Sequence, residues 1–553
     1  MEKNKSTLAI YGIKDIKNNG YPVIVHDHNI AYFKNGRLLK YLQLERDTRK
    51  KFDNSLETRL YELLKKAGLL NEDYDLIFTD NVVGRAFIDQ RGEARFEAPL
   101  NNSLQNGVEE GKAWWYGKEK KAYILNHELA HIYSCLPFSG SFKNNSLLIH
   151  FDGGASFSNF SAWKYKDTVL EKVEYHWDLK YLSSFFNANA LTFAIIGGKE
   201  FDQHSVPGKL MGFASFGTYQ PKIEDWLKAN DYFSDIWGKR SRFFDKTKSD
   251  WNLDLKSFDQ KHPFIQNVAA TFQYIFQRDF MLKLQELKQK TNADYLYYSG
   301  GSALNILTNS AIIHRQIFKD VYIPPCTNDS GLSVGAGAFL EQLKHGKVEI
   351  HQPYLNNWGI ENYEVLSFDD LEEIADLLYQ GKVIGLCNGY GEAGPRALGN
   401  RSIIARADSA TLAKRVSEEH KKREWYRPVA PVMLEENTKY YTGLEKIHQL
   451  SKYMLLDFNI EKTKWKEIEG VVHVDGTSRI QTLFGRDENP FLYDLLKLLD
   501  KRYAIKALIN TSFNIKGEPI VHTVEDALRS AKEMQLNGVV LNGKLYKLNP
   551  NKR

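Results

Sequence analysis

The sequence is poor in features that would commit it to several large classes of protein. Among 553 residues only Cys135, Cys326 and Cys387 are cysteines. They stand too far apart along the chain to form a CxxC metal knuckle or a disulfide ladder. Such scarcity fits a reducing compartment. Long apolar runs are missing as well. The most apolar stretch, Ala190 to Ile196, falls far short of the ~20 residues of a membrane helix. The amino terminus, MEKNKSTLAIYGIKDIK, holds no signal core. Nor does one sign of charge dominate, since 74 Lys and Arg face 69 Asp and Glu for a net +5. That balance argues against a nucleic-acid coat or a polybasic membrane binder and leaves room for a local basic pocket. There is no low-complexity tract and no repeat at a period of about 20–50 residues. These absences predict a soluble, cytoplasmic protein, monomeric or homodimeric, with neither nucleic acid nor membrane as partner.

What is present is globular. The chain is 42% hydrophobic and 13% aromatic, and at ~150 residues per unit its length corresponds to three or four domain-sized units. Val23 to Phe33, the pair Asn35-Gly36 and Leu38 to Leu44 read as a β-hairpin, because Asn-Gly supplies the positive φ angles of a tight turn. Leu56, Leu60, Leu63 and Leu64 recur at helical spacing until Gly68. Strands are expected at Tyr74–Phe78, Ala122–Leu125, Leu147–Phe151 and Tyr295–Tyr298, and a long helix at Phe264–Leu287. An irregular stretch at 346–366 reads as a linker. It is followed by a helix (Leu371–Tyr379), a strand (Val383–Cys387), further alternation and a closing hairpin at Asn542-Gly543. The pattern is that of an α/β protein in two parts, 1–345 and 367–553.

Three constellations carry chemistry. In His127-Glu128-Leu129-Ala130-His131, a helix would set both imidazoles on one face, able to grip one metal ion. Read literally it is also the HExxH signature of a zinc peptidase, with Glu128 as general base. The positions where the extended signature wants glycine and a third histidine hold Ser134 and Pro137, and the first downstream glutamate is Glu171. A surface helix with two histidines is the bland alternative. The second constellation is a set of small-residue turns after strands: Asp152-Gly153-Gly154, Ser299-Gly300-Gly301-Ser302 and Asn328-Asp329-Ser330-Gly331. Glycine there lets backbone N–H groups approach phosphate. Each alone is most often only a turn; together they follow the arrangement by which actin-like and sugar-kinase-like ATPases hold a nucleotide. His127 and His131 with Asp152 and Asp329 would make a mixed nitrogen/oxygen site suited to Fe²⁺, Mn²⁺ or Zn²⁺.

The third is basic. Residues 391–430 contain nine Lys and Arg against five acids. Arg396 and Arg401 lie among Gly391, Gly394, Pro395 and Gly399, and Arg427-Pro428 precedes an apolar stretch. A solvated face is the ordinary meaning of such a run. Arginines fixed by tight backbone instead offer planar forks to phosphate oxygens. His473-Val474-Asp475-Gly476-Thr477-Ser478-Arg479 and Asn510-Thr511-Ser512-Phe513-Asn514 add another arginine and several polar donors. Together they predict a pocket for a small, highly charged phosphate compound.

At these residues the chain resembles the O-carbamoyltransferases of the nodulation-protein, cephalosporin and tobramycin type. The resemblance runs over almost the whole length. It is carried by HDHNIAYFKNG (26–36), LERDTRKKFD (44–53), GKLMGFASFG (208–217), SGGSALN (299–305), NDSGLSVGAGA (328–338), GEAGPRALGNRSI (391–403), KKREWYRPVAP (421–431), HVDGTSRIQT (473–482) and NTSFNIKGEPIV (510–521). It implies an actin-like (ASKHA) unit similar to the tRNA threonylcarbamoyl-transfer enzymes over 1–345, then an α/β unit similar to threonylcarbamoyl-adenylate synthase over 367–553. It further implies that carbamoyl phosphate and ATP form carbamoyl-adenylate in the second unit, and that a metal-assisted transfer to an acceptor hydroxyl follows in the first. By motif, the metal, expected to be Fe²⁺, would be held by His127, His131, Asp152 and Asp329. The nucleotide would lie along Gly153, Gly154, Lys209, Gly212, Gly300, Gly301 and Asn305. Carbamoyl phosphate would meet Arg396, Lys421, Arg423, Arg427, Arg479 and Ser512. Catalytic roles would fall to His26, Lys421, Arg427 and His473, with Asp27 and Lys51 near the acceptor. The expected picture is of two anion-holding cavities joined by a passage.

The chain departs from that family in two places. Where the family writes HHxxHA this chain has Asn126 before His127 and Ile132 after His131, and an acidic residue expected two places before His26 is Ile24. Two other readings stand beside the transferase: a zinc peptidase built on 127–131, which leaves the arginine-rich segment without a purpose, and an actin-like ATP-binding module without chemistry.

Overall fold

A computed structural model describes residues 5–13, 25–81, 86–97, 107–177, 190–198, 204–360 and 370–548. Val23, Ile24 and the last part of the 346–366 stretch lie outside the described residues. No helix among those described is long and apolar enough to cross a membrane.

Three large sheets organise the chain. The first has eight strands in the order Arg37–Gln43, Asn29–Lys34, Ser6–Tyr11, Tyr74–Thr79, Lys118–Leu125, Val108–Trp115, Ala94–Glu97, Ala86–Ile88. The second has five: Val169–His176, Phe160–Lys166, Ser146–Phe151, Tyr295–Ser299, Asp320–Tyr322. The first five strands of the one and all five of the other share a plan. Each begins with an antiparallel meander of three, and two strands parallel to the opening strand are then added beside it. The fold is therefore duplicated although no short-period repeat is visible in the sequence, in keeping with the two-lobed actin-like unit expected there. A mixed seven-stranded sheet follows, in the order Gln481–Leu483, Ala430–Leu434, Ala507–Ser512, Arg401–Arg406, Ile384–Cys387, Gly538–Leu541, Lys544–Lys547.

Local expectations translate directly where turn chemistry is strong. The hairpin at Asn35-Gly36 forms with φ of 54° and 81°. The helices Leu371–Tyr379 and Pro263–Thr291 appear, and the last two strands pair antiparallel across Asn542-Gly543. The 346–366 stretch, as far as Ile360, is stitched down. Asn356 bridges to Tyr41 on one side and Gly391 on the other, and buried Trp358 gives its carbonyl to His522 Nε2 at 2.9 Å.

The two halves also share a core. One apolar cluster contains Ile149 and Phe276 from the second sheet and its covering helix together with Val429 and Phe513 from the third-sheet region. Across this seam Tyr426 donates to the carbonyl of Ile196 at 3.1 Å and packs 5.1 Å from the Phe213 ring. Burial of this kind, worth about 25 cal/mol per Å² of apolar surface, clamps the halves around the cleft described next.

Candidate functional site

The helix His127–Tyr133 starts where Asn126 accepts the Leu129 N–H at 2.9 Å, an N-cap that satisfies an otherwise orphaned donor. Residues i and i+4 then share a face, and the Nε2 atoms of His127 and His131 stand 3.1 Å apart. Asp329 opens the turn before the helix Leu332–His345. Its Oδ1 lies 3.5 Å from His127 Nε2 and 3.4 Å from His131 Nε2. Gly335 makes this approach possible, since a Cβ there would sit 1.7 Å from the Ala130 carbonyl oxygen. Asp152, just past the strand Ser146–Phe151, puts Oδ2 3.5 Å from His131 Nε2.

An ion about 2.1 Å from each of two ligands separates them by about 3.0–3.4 Å in octahedral or tetrahedral geometry. The observed spacings of 3.1–3.5 Å fit that requirement. The buried trio His127, His131 and Asp329 forms a compact ligand set, with Asp152 beside it. Burial opposes a charge on His127, yet Asp329 and Asp152 outweigh it and raise its pKa. Asp329 is likewise held well below the usual carboxylate range despite burial, by His26 and His127. Its Oδ2 accepts from Tyr11 Oη at 3.0 Å, a contact the sequence does not announce because Tyr11 sits in an ordinary-looking strand.

Glu128 points elsewhere. Fully buried, its Oε1 accepts from the N–H groups of Phe157 and Ser158 and from the Ser158 hydroxyl at 2.8–3.1 Å. Through Oε1 it braces the loop at Phe157 and Ser158, so it is held in the interior instead of standing free as the base that the peptidase reading requires.

The glycine turns serve several contacts within the protein. Gly153 and Gly301 direct their N–H groups at the two oxygens of Asp152, so they orient a carboxylate instead of standing open to phosphate. Gly300 is required by packing: its φ is +108°, and a Cβ would lie 2.2 Å from the Phe151 carbonyl oxygen. A Cβ at Gly154 would touch Trp177. Asn305 caps the helix Ile306–His314 and exchanges amide hydrogen bonds with Gln273. Lys209, Gly212, Gly301 and Asn305 line the cavity described below; Gly153, Gly154 and Gly300 do not.

The basic segment sorts its arginines into two kinds. Arg401, 1% exposed, gives its guanidinium to the carbonyls of His522, Asn388, Asn400 and Gly389. It is a strut, contrary to the reading that paired it with Arg396. Arg396, Arg423, Arg427 and Arg479 instead converge. Burial first, and then Arg427, lower Arg396 to about 10. Burial, Arg427 and Arg396 lower Arg423 to about 9. Burial and the other three push Arg479 well down. Among the described residues no carboxylate lies within ion-pair distance of Arg396, Arg423 or Arg479, and the Nε atoms of Arg396 and Arg479 are buried without a partner. Crowded like charges of this kind are the signature of a site complementary to an anion.

Lys421 lies at the same end. Its ammonium reaches Ser512 Oγ at 3.2 Å, Asn514 O at 2.9 Å, Asn514 Oδ1 at 2.7 Å and the Ser512 carbonyl. Burial and the neighbouring Arg423 and Arg427 depress its pKa strongly. Ser512 Oγ also receives Arg423 Nη2 at 3.3 Å. His473 joins the halves, its Nδ1 2.8 Å from Ser215 Oγ.

Both ends belong to one cavity of about 830 Å³, lined by Asp152 and Asp329 as well as by Arg396, Arg423, Arg427 and Arg479. The two expected sites thus open on one continuous space. His26 lies inside it, with Nδ1 3.0 Å from Asp27 Oδ2 and Nε2 3.8 Å from Asp329 Oδ2. Burial opposes its charge, but Asp329 and Asp27 raise it to about 9. Lys51 also lines the space, its amine 4.9 Å over the Phe52 ring. Glu424, unremarked in the sequence apart from being an acid inside a basic run, lines it too.

Comparison with known proteins completes the description. Residues 17–338 match the family model described as carbamoyltransferase N-terminus, and residues 375–547 that described as carbamoyltransferase C-terminus. The chain is 28% identical to nodulation protein NolNO of Sinorhizobium fredii, over 95% of this chain and 79% of that one. It is 27% identical to 3'-hydroxymethylcephem-O-carbamoyltransferase of Streptomyces clavuligerus, over 94% and 97%. Among solved structures, full-length HypF in a phosphate- and nucleotide-bound form aligns at 10% identity and a TM-score of 0.32, over 62% of this chain and 56% of that one. With both of its family regions matched in order along nearly the whole length, the chain belongs to the carbamoyltransferase family and is a carbamoyltransferase.

Proposed function

We propose that this carbamoyltransferase uses carbamoyl phosphate and ATP to make carbamoyl-adenylate and then passes the carbamoyl group to a hydroxyl of a small-molecule acceptor. The observation that carries the reading is that one cavity is lined by four converging guanidiniums and by Asp329, the carboxylate of the buried His127/His131/Asp329 ligand set that stands behind its other end. At the arginine end, carbamoyl phosphate and water yield carbamate and inorganic phosphate. A carbamate oxygen then attacks the α-phosphorus of ATP, and pyrophosphate leaves. Arg396, Arg423, Arg427 and Arg479 supply fixed positive charge where phosphoryl oxygens gain negative charge. Lys421 and Ser512 hold the floor of that pocket. At the other end the acceptor hydroxyl attacks the carbamoyl carbon, the bond from that carbon to the AMP oxygen breaks, and the hydroxyl proton passes to solvent; AMP is a far better leaving group than the hydroxide that free carbamate would have to expel.

His127, His131, Asp152 and Asp329 would hold a divalent ion, which when bound polarises the carbonyl under attack. His26, held between Asp27 and Asp329, lines the cavity beside the ligand set and is placed to meet the acceptor. A hydroxyl acceptor is supported by the Streptomyces clavuligerus relative, whose name specifies transfer to a hydroxymethyl group. A division into an actin-like unit (1–345), a connecting stretch (346–366) and a threonylcarbamoyl-adenylate-synthase-like unit (367–553) accompanies this reading. Incubation with ATP and carbamoyl phosphate, without acceptor, tests it. Release of pyrophosphate and AMP dependent on carbamoyl phosphate is expected, and ATP left intact under those conditions would overturn it.

A further inference from the structure

The cations around the cavity differ in how their charge is met. Arg396, Arg423 and Arg479 have no carboxylate at ion-pair distance among the described residues, whereas Lys209, Arg427 and Lys516 share one. Glu424 Oε1 lies 3.1 Å from Lys209 Nζ and 3.6 Å from Lys516 Nζ, and Oε2 lies 3.3 Å from Arg427 Nη1. Lys209 comes from the helix Val206–Ala214 of the first half; the other three residues belong to the second. The side chain of Lys209 is 5% exposed and that of Glu424 21%, so the pair is largely withdrawn from water. Burial works against the charge of Glu424, but a backbone hydrogen bond, Arg427 and Lys209 overcome it and hold its pKa at about 2.

A buried ammonium without a counter-charge is costly, and Glu424 meets that need. It does so by presenting two oxygens to the same donors that phosphoryl oxygens would use. We propose that Glu424 is an internal counter-anion, holding Lys209 and Arg427 together across the junction of the halves and yielding them to the phosphoryl oxygens of an incoming substrate. Lys516, half exposed, is the cation toward which the displaced carboxylate turns. Arrival of an anion then exchanges the Lys209–Glu424 bridge between the halves for contacts to substrate. This inference rests on the reading of the arginine end as an anion pocket.

Inorganic phosphate is the probe, titrated calorimetrically into the full-length protein at neutral pH and fixed ionic strength. Removing a competing charge-assisted contact should tighten phosphate binding about tenfold or more in Glu424→Gln. Glu424→Ala should move in the same direction, which guards against a misfolded glutamine variant, while Glu424→Asp, which keeps the charge, should stay near wild type. If the wild type binds phosphate and Glu424→Gln binds it equally or more weakly, the glutamate merely orients its neighbours and the counter-anion role is lost while the pocket stands. If neither the wild type nor the folded variants bind phosphate, the anion pocket itself fails, and the counter-anion with it.

Discussion

At one end of the cavity, imidazoles and carboxylates converge and a second layer fixes them: Tyr11 on Asp329, the Gly153 and Gly301 amides on Asp152. At the other, guanidiniums crowd together with little to hold them apart from the walls, and two of their Nε atoms find no partner. The two ends gather opposite kinds of group, carboxylates with imidazoles at one and guanidiniums mostly without carboxylates at the other. Buried polar groups are normally satisfied, so a cluster that concentrates one sign of charge out of water marks where a ligand of the other sign belongs. The sharpest way to break this comparison is to delete the imidazoles of the candidate metal-holding end. His127→Ala with His131→Ala should abolish bound divalent metal, read by elemental analysis, and abolish carbamoyl transfer, while pyrophosphate release persists. Equal loss of both half-reactions would show that the ends do not act separately.

The next comparison lies within one segment. Arg401 and Arg396 are five residues apart, yet Arg401 is buried and saturated by carbonyls, whereas Arg396 is only partly buried and its Nε has no partner. Arg401→Ala should therefore destabilise the protein by about 3 kcal/mol, because several carbonyls lose their donor at once. A lowered unfolding midpoint is expected even for protein that retains its substrate affinity. Arg479→Ala should show the reverse: an intact midpoint, since removing a charge from a like-charged cluster relieves repulsion, and a Michaelis constant for carbamoyl phosphate raised about 10- to 150-fold, the worth of a contact to a charged group. Arg427→Ala should cost less, because Glu424 already shares that guanidinium.

This sorting of arginines shows where reading the sequence stops. Turn residues announced the Asn35-Gly36 and Asn542-Gly543 hairpins, since local sterics decide them. Helical spacing placed His127 and His131 on one face. The destination of a long side chain is set by tertiary context, so Arg401 and Glu128 were indistinguishable in sequence from functional neighbours. The duplicated sheet order is implied by the family resemblance and by no internal repeat, for a related reason: topology depends on which strands pair, and two lobes can share that pairing with no residues in common. That both ends open on one cavity goes with the packing of Tyr426 against Phe213 across the halves; the motifs at 208–217 and 421–431 contain these residues without recording that they meet.

Tyr11→Phe probes the smallest of these differences. Tyr11 is fully buried, donates to Asp329 Oδ2 at 3.0 Å, accepts from Asn81 Nδ2 at 2.8 Å and sets its ring edge-on to His127 at 5.8 Å. Phenylalanine keeps the ring contact and removes only the hydroxyl, so packing is retained while Asp329 loses one of the groups that aim it. Loss of an outer partner of a metal ligand typically weakens metal affinity about 10- to 100-fold. The lower figure is expected here because Asn29 still ties the Asp329 backbone carbonyl at 2.9 Å. Competition with a chelator of known affinity measures the shift. An unchanged metal affinity would mean that Asp329 is placed by its backbone alone, and the contrast between a braced metal end and an unbraced arginine end would rest on Asp152 only.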